Sequence, residues 1–347
     1  MAIDLFETRT MLQAVSMMKP ARTFLRDTFF TDVTNSVTES VDIDIQKGAR
    51  RLAPFVHPRV GSQTVDAVGF ETKTFTPPQI GPDYFITGQD LQKRLPGETL
   101  YGGDTPDGRL AKLIGGKLAE FDTMISRTEE WMCAQALFTG QIVINGKGYN
   151  NLTIEYNVTN KETLAAKAKW SYTGADRTES PIEGLRRWKR AVLKASGENP
   201  DTCVMSPDVA DAFMKHPDVK EYFDSYQKGN IDMGLLAPKM SINGVYFIAR
   251  INELGLDLYS YEEYYIDPAT GTESQLVPSG KVMLCSSAVR FKMFYGAIID
   301  VEIGSYALPR VPKSWVKHKP SARVLQLLSR PLPAIVLPDG LYIATVL

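Results

Sequence analysis

Apolar residues recur at three- and four-residue spacing over one stretch longer than any other in the chain, from Asp104 to Gly140. Leu110, Leu113, Ile114, Leu118, Phe121, Met124, Ile125, Trp131 and Met132 fall on one helical stripe, while Lys112, Glu120, Arg127 and Glu130 point elsewhere. Thr105 is placed to cap the N-terminus, Pro106 needs no amide partner at the first helical position, and Asp107 suits the positive end of the helix dipole. The pattern predicts a helix over residues 106–139, closed by Gly140, with Leu110, Ile114, Leu118, Phe121, Ile125 and Met132 as its core face. At about 1.5 Å per residue such a rod is roughly 45–50 Å long and must lie across something broad. Gly115 and Gly116 inside it cost about 1 kcal/mol each relative to Ala, which implies a close-packed neighbouring backbone or a bend.

Ahead of this rod the pattern is thinner. Leu5 to Met18 reads as a short amphipathic helix whose apolar positions Leu5, Leu12, Val15 and Met18 lack a nearby helix to cover them, so it reads as an arm. Phe24, Leu25, Phe29 and Phe30 form an aromatic cluster that must dock on the body or on another subunit. From Glu39 to Thr76 the pattern alternates. Val41, Ile43 and Ile45 face away from Asp42 and Asp44, and Phe70, Thr72, Thr74 and Thr76 answer on a second leg, which predicts a long antiparallel hairpin. Its tip carries Arg50, Arg51, Pro54, His57, Pro58, Arg59 and Gly61, which is poor core material. Two-stranded ribbons are marginal alone in water, so this one calls for support from a neighbouring copy.

Beyond the rod, Gln141 to Ile144 and Leu152 to Tyr156 flank Asn145-Gly146, a favoured hairpin dipeptide. A second, α+β unit begins at Pro181 with a helix to Ser196 lined by Leu185, Trp188, Val192 and Leu193. A strand at Thr202–Met205, helical segments from Pro207 to Tyr226 broken at Pro217, and strands at 245–249, 256–259, 281–285, 289–294 and 298–303 follow. Arg323 to Ser329 and Leu341 to Val346, around Pro331, Pro333 and Pro338-Asp339-Gly340, read as a closing hairpin that returns to the first unit.

Composition narrows the function. The 347 residues are 44% hydrophobic, enough for two or three folded units. With 39 basic and 40 acidic residues the formal charge is -1, which disfavours DNA binding or anionic-membrane binding as the main task. Cys133, Cys203 and Cys285 are odd in number and far apart, suggesting neither a disulfide framework nor a zinc site, and a reducing cytosol as the setting. No window resembles a signal peptide or a membrane span.

Candidate chemistry is sparse. Gly140 to Lys147 has one residue too many for a phosphate loop, and Gly148 stands where Ser or Thr would bind magnesium. His57, His216 and His318 lie near prolines and read as surface or turn positions. Tyr261, Glu262, Glu263, Tyr264 and Tyr265 read as an exposed hairpin or an interface rim before a carbohydrate or cation site. Arg186, Arg187, Lys189 and Arg190 read as a solvated basic face. No catalytic, cofactor-binding or metal-binding residue is assigned.

The order of arm, extended hairpin, long helix, small hairpin, α+β unit and C-terminal return resembles the tailed-phage major capsid fold of the Hong Kong 97 type, and more narrowly the phage lambda major head protein family. The likeness is sharpest at Pro312-Lys313-Ser314-Trp315-Val316, at Pro320-Ser321-Ala322-Arg323 and from Pro331 to Leu347. Phe24-Leu25-Arg26, Phe29-Phe30 and Leu91 to Pro96 support it, while Asn157 to Ser274 matches only in layout. The resemblance implies an α+β fold with an N-terminal arm (1–38), an extended loop (39–88), a peripheral domain (89–180 and 306–347) and an axial domain (181–305). It implies a structural protein, without enzymatic activity or cofactor, that self-assembles as hexamers and pentamers into an icosahedral shell around phage double-stranded DNA. It also implies a separate scaffold, a decoration protein and weak non-specific contact with packaged DNA. Location in the virion after assembly in the host cytoplasm, and no membrane contact, complete the expectation. Phe24, Phe29, Phe30, Arg50, Arg51, Arg59 and Phe70 are the candidate subunit-interface residues. Two alternatives stay open: an encapsulin-like nanocompartment shell of the same fold, and a soluble two-domain hydrolase, which would need a pocket of convergent acids.

Overall fold

The computed structural model describes residues 6–18, 23–46, 70–92, 105–146, 148–174, 176–227, 239–242, 244–268, 270–289, 291–319 and 321–347, with single positions at 52, 53, 55, 57, 61 and 64. The long helix runs over Pro106–Thr139, with the Thr105 hydroxyl accepting from the Gly108 amide and Gly140 closing it in the left-handed region at φ 72°. Its two halves serve different cores. Ile114, Leu118, Phe121 and Ile125 are buried with Leu110 and Leu113 packed beside them, against Ile86, Leu325 and Leu327 of a three-stranded sheet. That sheet joins Val311–His318, Ser321–Leu328 and Asp83–Ile86, all antiparallel. The last two turns, Met132 to Phe138, are buried nearly all round in the central core. Met124, part of the expected stripe, is instead 47% exposed.

The second unit is built on a seven-stranded mixed sheet. Its order is Lys161–Thr163, Leu341–Thr345, Lys281–Cys285, Thr202–Met205, Leu256–Tyr261, Val245–Ile251 and Lys239–Ile242. The helix Pro181–Ala195 lays Leu185, Trp188 and Val192 on this sheet, started by a reciprocal capping box between Ser180 and Glu183. The closing hairpin expected from Arg323 to Val346 does not form. Ser321–Leu328 pairs on both edges in the three-stranded sheet, and Leu341–Thr345 lies antiparallel to Lys281–Cys285 in the other. Its residues Leu341, Tyr342, Ile343 and Ala344 are buried, which a strand covered on both faces requires.

The N-terminal segment also departs from expectation. The helix Thr8–Met17 is covered by its own chain: Met11 is buried, with Phe6, Val15 and Met18 packed on the first half of the long helix and the three-stranded sheet. This covering surface comes from residues more than 60 positions away, which spacing along the segment does not show. Phe24, Phe29 and Phe30 are buried in the chain's central core, with Phe24 5.3 Å from the Tyr261 ring and Phe30 5.4 Å from the Phe291 ring. These three belong to the subunit's interior and are withdrawn as interface candidates.

Gly115 and Gly116 meet no close-packed backbone within the chain, since a Cβ at either would find nothing within 4 Å. Gly115→Ala and Gly116→Ala are therefore expected to raise subunit stability by about 0.5–1 kcal/mol per site through helix propensity alone. Chemical denaturation of the purified subunit reads this directly, and a loss of stability would contradict the open space around them.

Candidate functional site

The junction between the two sheets is organised by two adjacent acids of the long helix. Glu130, which the periodicity turns toward solvent, is buried, and its carboxylate accepts from three successive backbone amides, Phe24 (2.9 Å), Leu25 (2.7 Å) and Arg26 (3.0 Å). These are the unpaired amides that open the short helix Leu25–Phe29, so Glu130 serves as a cap supplied from another element. The Tyr261 hydroxyl, from the seven-stranded sheet, donates to the same carboxylate at 3.0 Å. Burial raises the Glu130 pKa, and the hydrogen bonds from Arg26, Leu25, Tyr261 and Phe24 counter that without cancelling it.

Glu129, fully buried, accepts from the two terminal guanidinium nitrogens of Arg310 at 2.6 and 3.2 Å and from Arg26 at 3.0 Å. Arg310 also donates to Asp122 at 2.8 Å and to the hydroxyls of Ser126 and Ser329 at 3.2 Å each. Burial opposes the charge on Arg310, yet Glu129 and Asp122 hold its pKa above the ordinary value. A planar fork among two carboxylates and two hydroxyls is a geometry that arginine satisfies and lysine does not. The sequence carried one signal for this junction: apolar residues on every side from Trp131 to Phe138 mark an enclosed helix, so acids directly before it face a buried environment.

The extended loop presents the opposite situation. Val41–Gln46 and Phe70–Phe75 pair antiparallel from Val41↔Phe75 to Gln46↔Phe70. Val41 and Ile43 reach the central core, so the base of the ribbon is anchored. Further out, Leu52 and Phe55 are fully exposed. Arg50, Arg51 and Arg59 lie outside the described residues, and Phe70 is described only in its backbone pairing.

Elsewhere the candidate chemistry is structural. Arg187 forks onto Glu179 and reaches Glu162 at 2.9 Å, Arg186 pairs with Glu253, and Lys189 donates to the Leu254 carbonyl. The face stays solvated as expected, Arg187 and Arg190 being exposed, while Arg186, Arg187 and Lys189 are also tied to the chain's own groups. Among the described residues no cluster of His, Cys, Asp and Glu could hold a metal ion, and no helix is long and apolar enough to cross a membrane. His216 occupies the break between the helices Pro207–Lys215 and Pro217–Gln227, the expected turn position, but is buried there, and its Nδ1 accepts the Asp218 amide at 3.3 Å, capping the second helix. Burial lowers its pKa from the ordinary 6.5, against the pull of Asp218. The unfolded chain then takes up a proton that the folded chain refuses. Above the unfolded value this costs nothing, and stability falls as pH drops below it. Melting curves at pH 7.5 and pH 5 are expected to show a wild-type loss that His216→Asn, which keeps a capping acceptor, reduces.

A family model described as phage major capsid protein E matches residues 7–346. The chain belongs to that family. As a capsid subunit it is a structural component of a phage or prophage particle with an icosahedral shell. Among solved structures it is similar to a putative prophage capsid protein of E. coli CFT073, with 19% identity, 100% coverage of both chains and a TM-score of 0.73. A phage-related protein of Bordetella bronchiseptica RB50 matches with 12% identity, 96% of this chain, 94% of that one and a TM-score of 0.54. The mature capsid of bacteriophage PhiM1 matches with 11% identity, 94% of this chain, 88% of that one and a TM-score of 0.50. At these identities the structural likeness speaks to the fold of the capsid subunit. No curated protein matches the sequence.

Proposed function

We propose that this capsid subunit builds a Hong Kong 97-type lattice of hexamers and pentamers around double-stranded DNA, and that it is structural throughout, with no catalytic role. The ribbon carries this reading: six residue pairs with two open edges and an apolar tip, Leu52 and Phe55, that its own chain leaves bare. An apolar loop tip on a two-stranded ribbon gains stability only when another surface covers it. In this reading Arg50, Arg51, Arg59 and Phe70 lie against a neighbouring copy. Residues 1–38 are the arm, 39–88 the extended loop, 89–180 with 306–347 the peripheral domain, and 181–305 the axial domain. Strands Lys161–Thr163 and Leu341–Thr345 cross that division to complete the axial sheet. A separate scaffold, a decoration protein and weak non-specific contact with packaged DNA are the remaining partners, and assembly takes place in the host cytoplasm before the shell becomes part of the virion. Negative-stain images and size-exclusion profiles of the protein, expressed alone and with a co-expressed scaffold, test this. Closed shells or rings of six and five are expected, and a stable monomer under both conditions would overturn the reading.

A further inference from the structure

The net charge of -1 conceals two opposite stretches. Residues 251–280 hold six acids, Glu253, Asp257, Glu262, Glu263, Asp267 and Glu273, and no Lys or Arg. Residues 303–338 hold six bases, Arg310, Lys313, Lys317, Lys319, Arg323 and Arg330, and no Asp or Glu. Internal pairing absorbs part of each. Glu253 meets Arg186, Asp257 meets Arg250 at 3.6 Å, Arg310 is enclosed by the long helix, Lys313 meets Asp300 at 2.7 Å and Arg330 meets Glu39 at 3.0 Å. Glu273 on the acidic side and Lys317 and Lys319 on the basic side are exposed and form no ion pair among the described residues, and both sides also expose apolar side chains.

The acidic hairpin pairs Tyr264–Ile266 with Glu273–Gln275, Ile266 lying directly opposite Glu273. Tyr265 turns inward onto Trp131 at 6.3 Å, which leaves Tyr264 and Ile266 outward, 42% and 70% exposed, beside the exposed Glu273. The basic counterpart is the outer face of the three-stranded sheet. Trp315, Val324 and Phe85 form a row across its strands, Phe85 being 46% exposed. The Lys317 ammonium lies 5.4 Å from the centre of the Phe85 ring, and Lys313 lies 5.2 Å from that of Trp315. Lys317 and Lys319 are exposed, and neither forms an ion pair among the described residues. The opposite face of this sheet is filled by the long helix.

We propose that the hairpin 264–275 of one copy docks on the Phe85–Trp315–Lys317 face of another, Tyr264 and Ile266 covering the two rings and Glu273 meeting Lys317. The inference rests on the shell reading only for the presence of a second copy. Each face offers two apolar side chains, Tyr264 with Ile266 and Phe85 with Trp315, beside an exposed charge, Glu273 or Lys317, and the signs are opposite, which sets both attraction and register. Two different patches on each copy make a head-to-tail contact, the kind that generates rings. A nucleic acid suits this face less well. Both lysines near the row lie over rings, and Asp83, exposed on the same face two residues from Phe85, repels phosphate.

Charge reversal tests the pairing. Lys317→Glu and Glu273→Lys are each expected to keep the wild-type melting temperature, because both positions are exposed, while losing most particles or rings by electron microscopy. The double swap, Lys317→Glu with Glu273→Lys, is expected to recover them. Wild-type yields from both single variants would overturn the proposal, as would singles that fail and a swap that does not recover. Cross-linking supplies a readout that does not need closed shells. A tagged Ile266→Cys copy mixed with an untagged Phe85→Cys copy is expected to give a mixed disulfide dimer, the three native cysteines being buried. Particles without that dimer overturn the pairing and leave the shell reading intact. The dimer in a preparation that never forms rings or shells supports the pairing and overturns the shell reading. A Phe85→Cys copy that links only to residues of the extended loop would assign this face to the ribbon and overturn the pairing.

Discussion

Replacing residues 50–69 by a short Gly-Ser turn is expected to leave a folded, soluble subunit that forms no shells. The reason is a division of labour along the ribbon. Val41 and Ile43 at its base are buried in the central core, while Leu52 and Phe55 near its tip touch nothing that would hold them. Removing the tip takes away no core contact of the described residues, so the melting temperature and near-ultraviolet circular dichroism should stay close to wild type. Assembly multiplies the loss. A contact repeated around every ring contributes once per subunit, and linked contacts act with high effective concentration, so even a modest change at each interface abolishes closed particles. Electron microscopy reads the outcome. Particles of normal yield and size from the shortened chain would show that the tip is dispensable and would remove the observation on which the proposed lattice rests.

Glu130→Ala is expected to destabilise the subunit by about 3–5 kcal/mol, because it leaves two buried amides, a partly buried one and a phenol without their acceptor at roughly 1–3 kcal/mol each, less whatever water recovers. The amides of Phe24, Leu25 and Arg26 open a five-residue helix that has no side-chain cap of its own. A helix that short does not hold itself together in water, so its position depends on the carboxylate. Glu130→Gln retains one acceptor oxygen but turns an amide NH2 toward donors, and its loss should fall between wild type and Ala. Urea unfolding of the three proteins gives the order directly. Hydrogen exchange at residues 24–30 locates it, with faster exchange there in Glu130→Ala than in the core strand Lys281–Cys285. An Ala variant as stable as wild type would mean that the arm segment is held by its aromatic side chains alone.

How much of this was legible in the chain depends on the range of the interactions involved. The long helix, its Thr105 cap and Gly140 stop and the ribbon Val41–Gln46 with Phe70–Phe75 follow from residues three, four or two apart, which periodicity reads directly, and so does the small hairpin Gln141–Gly146 with Tyr149–Glu155, although Asn145 and Gly146 lie in its first strand and not at its turn. The capping box of Pro181–Ala195 is of the same local kind. Arrangements that join distant segments were not legible. Sequence spacing required Phe24, Phe29 and Phe30 to be buried, but could not say whether the covering surface lay on the same chain, since Tyr259, Tyr261 and Phe291 are more than 200 residues away. Glu130 read as a surface acid because a helical wheel assumes one wet side, and the stretch of this helix from Glu129 to Phe138 has none. Leu341–Thr345 has the composition of any buried strand, and only the packed sheet fixes Lys281–Cys285 and Lys161–Thr163 as its neighbours. Local pattern sets which segments become helix or strand, because those choices are made by neighbouring side chains and backbone. Partner choice between segments is a competition among many apolar surfaces of similar strength, and shape, hydrogen-bond satisfaction and buried charge resolve it only once the whole chain is packed.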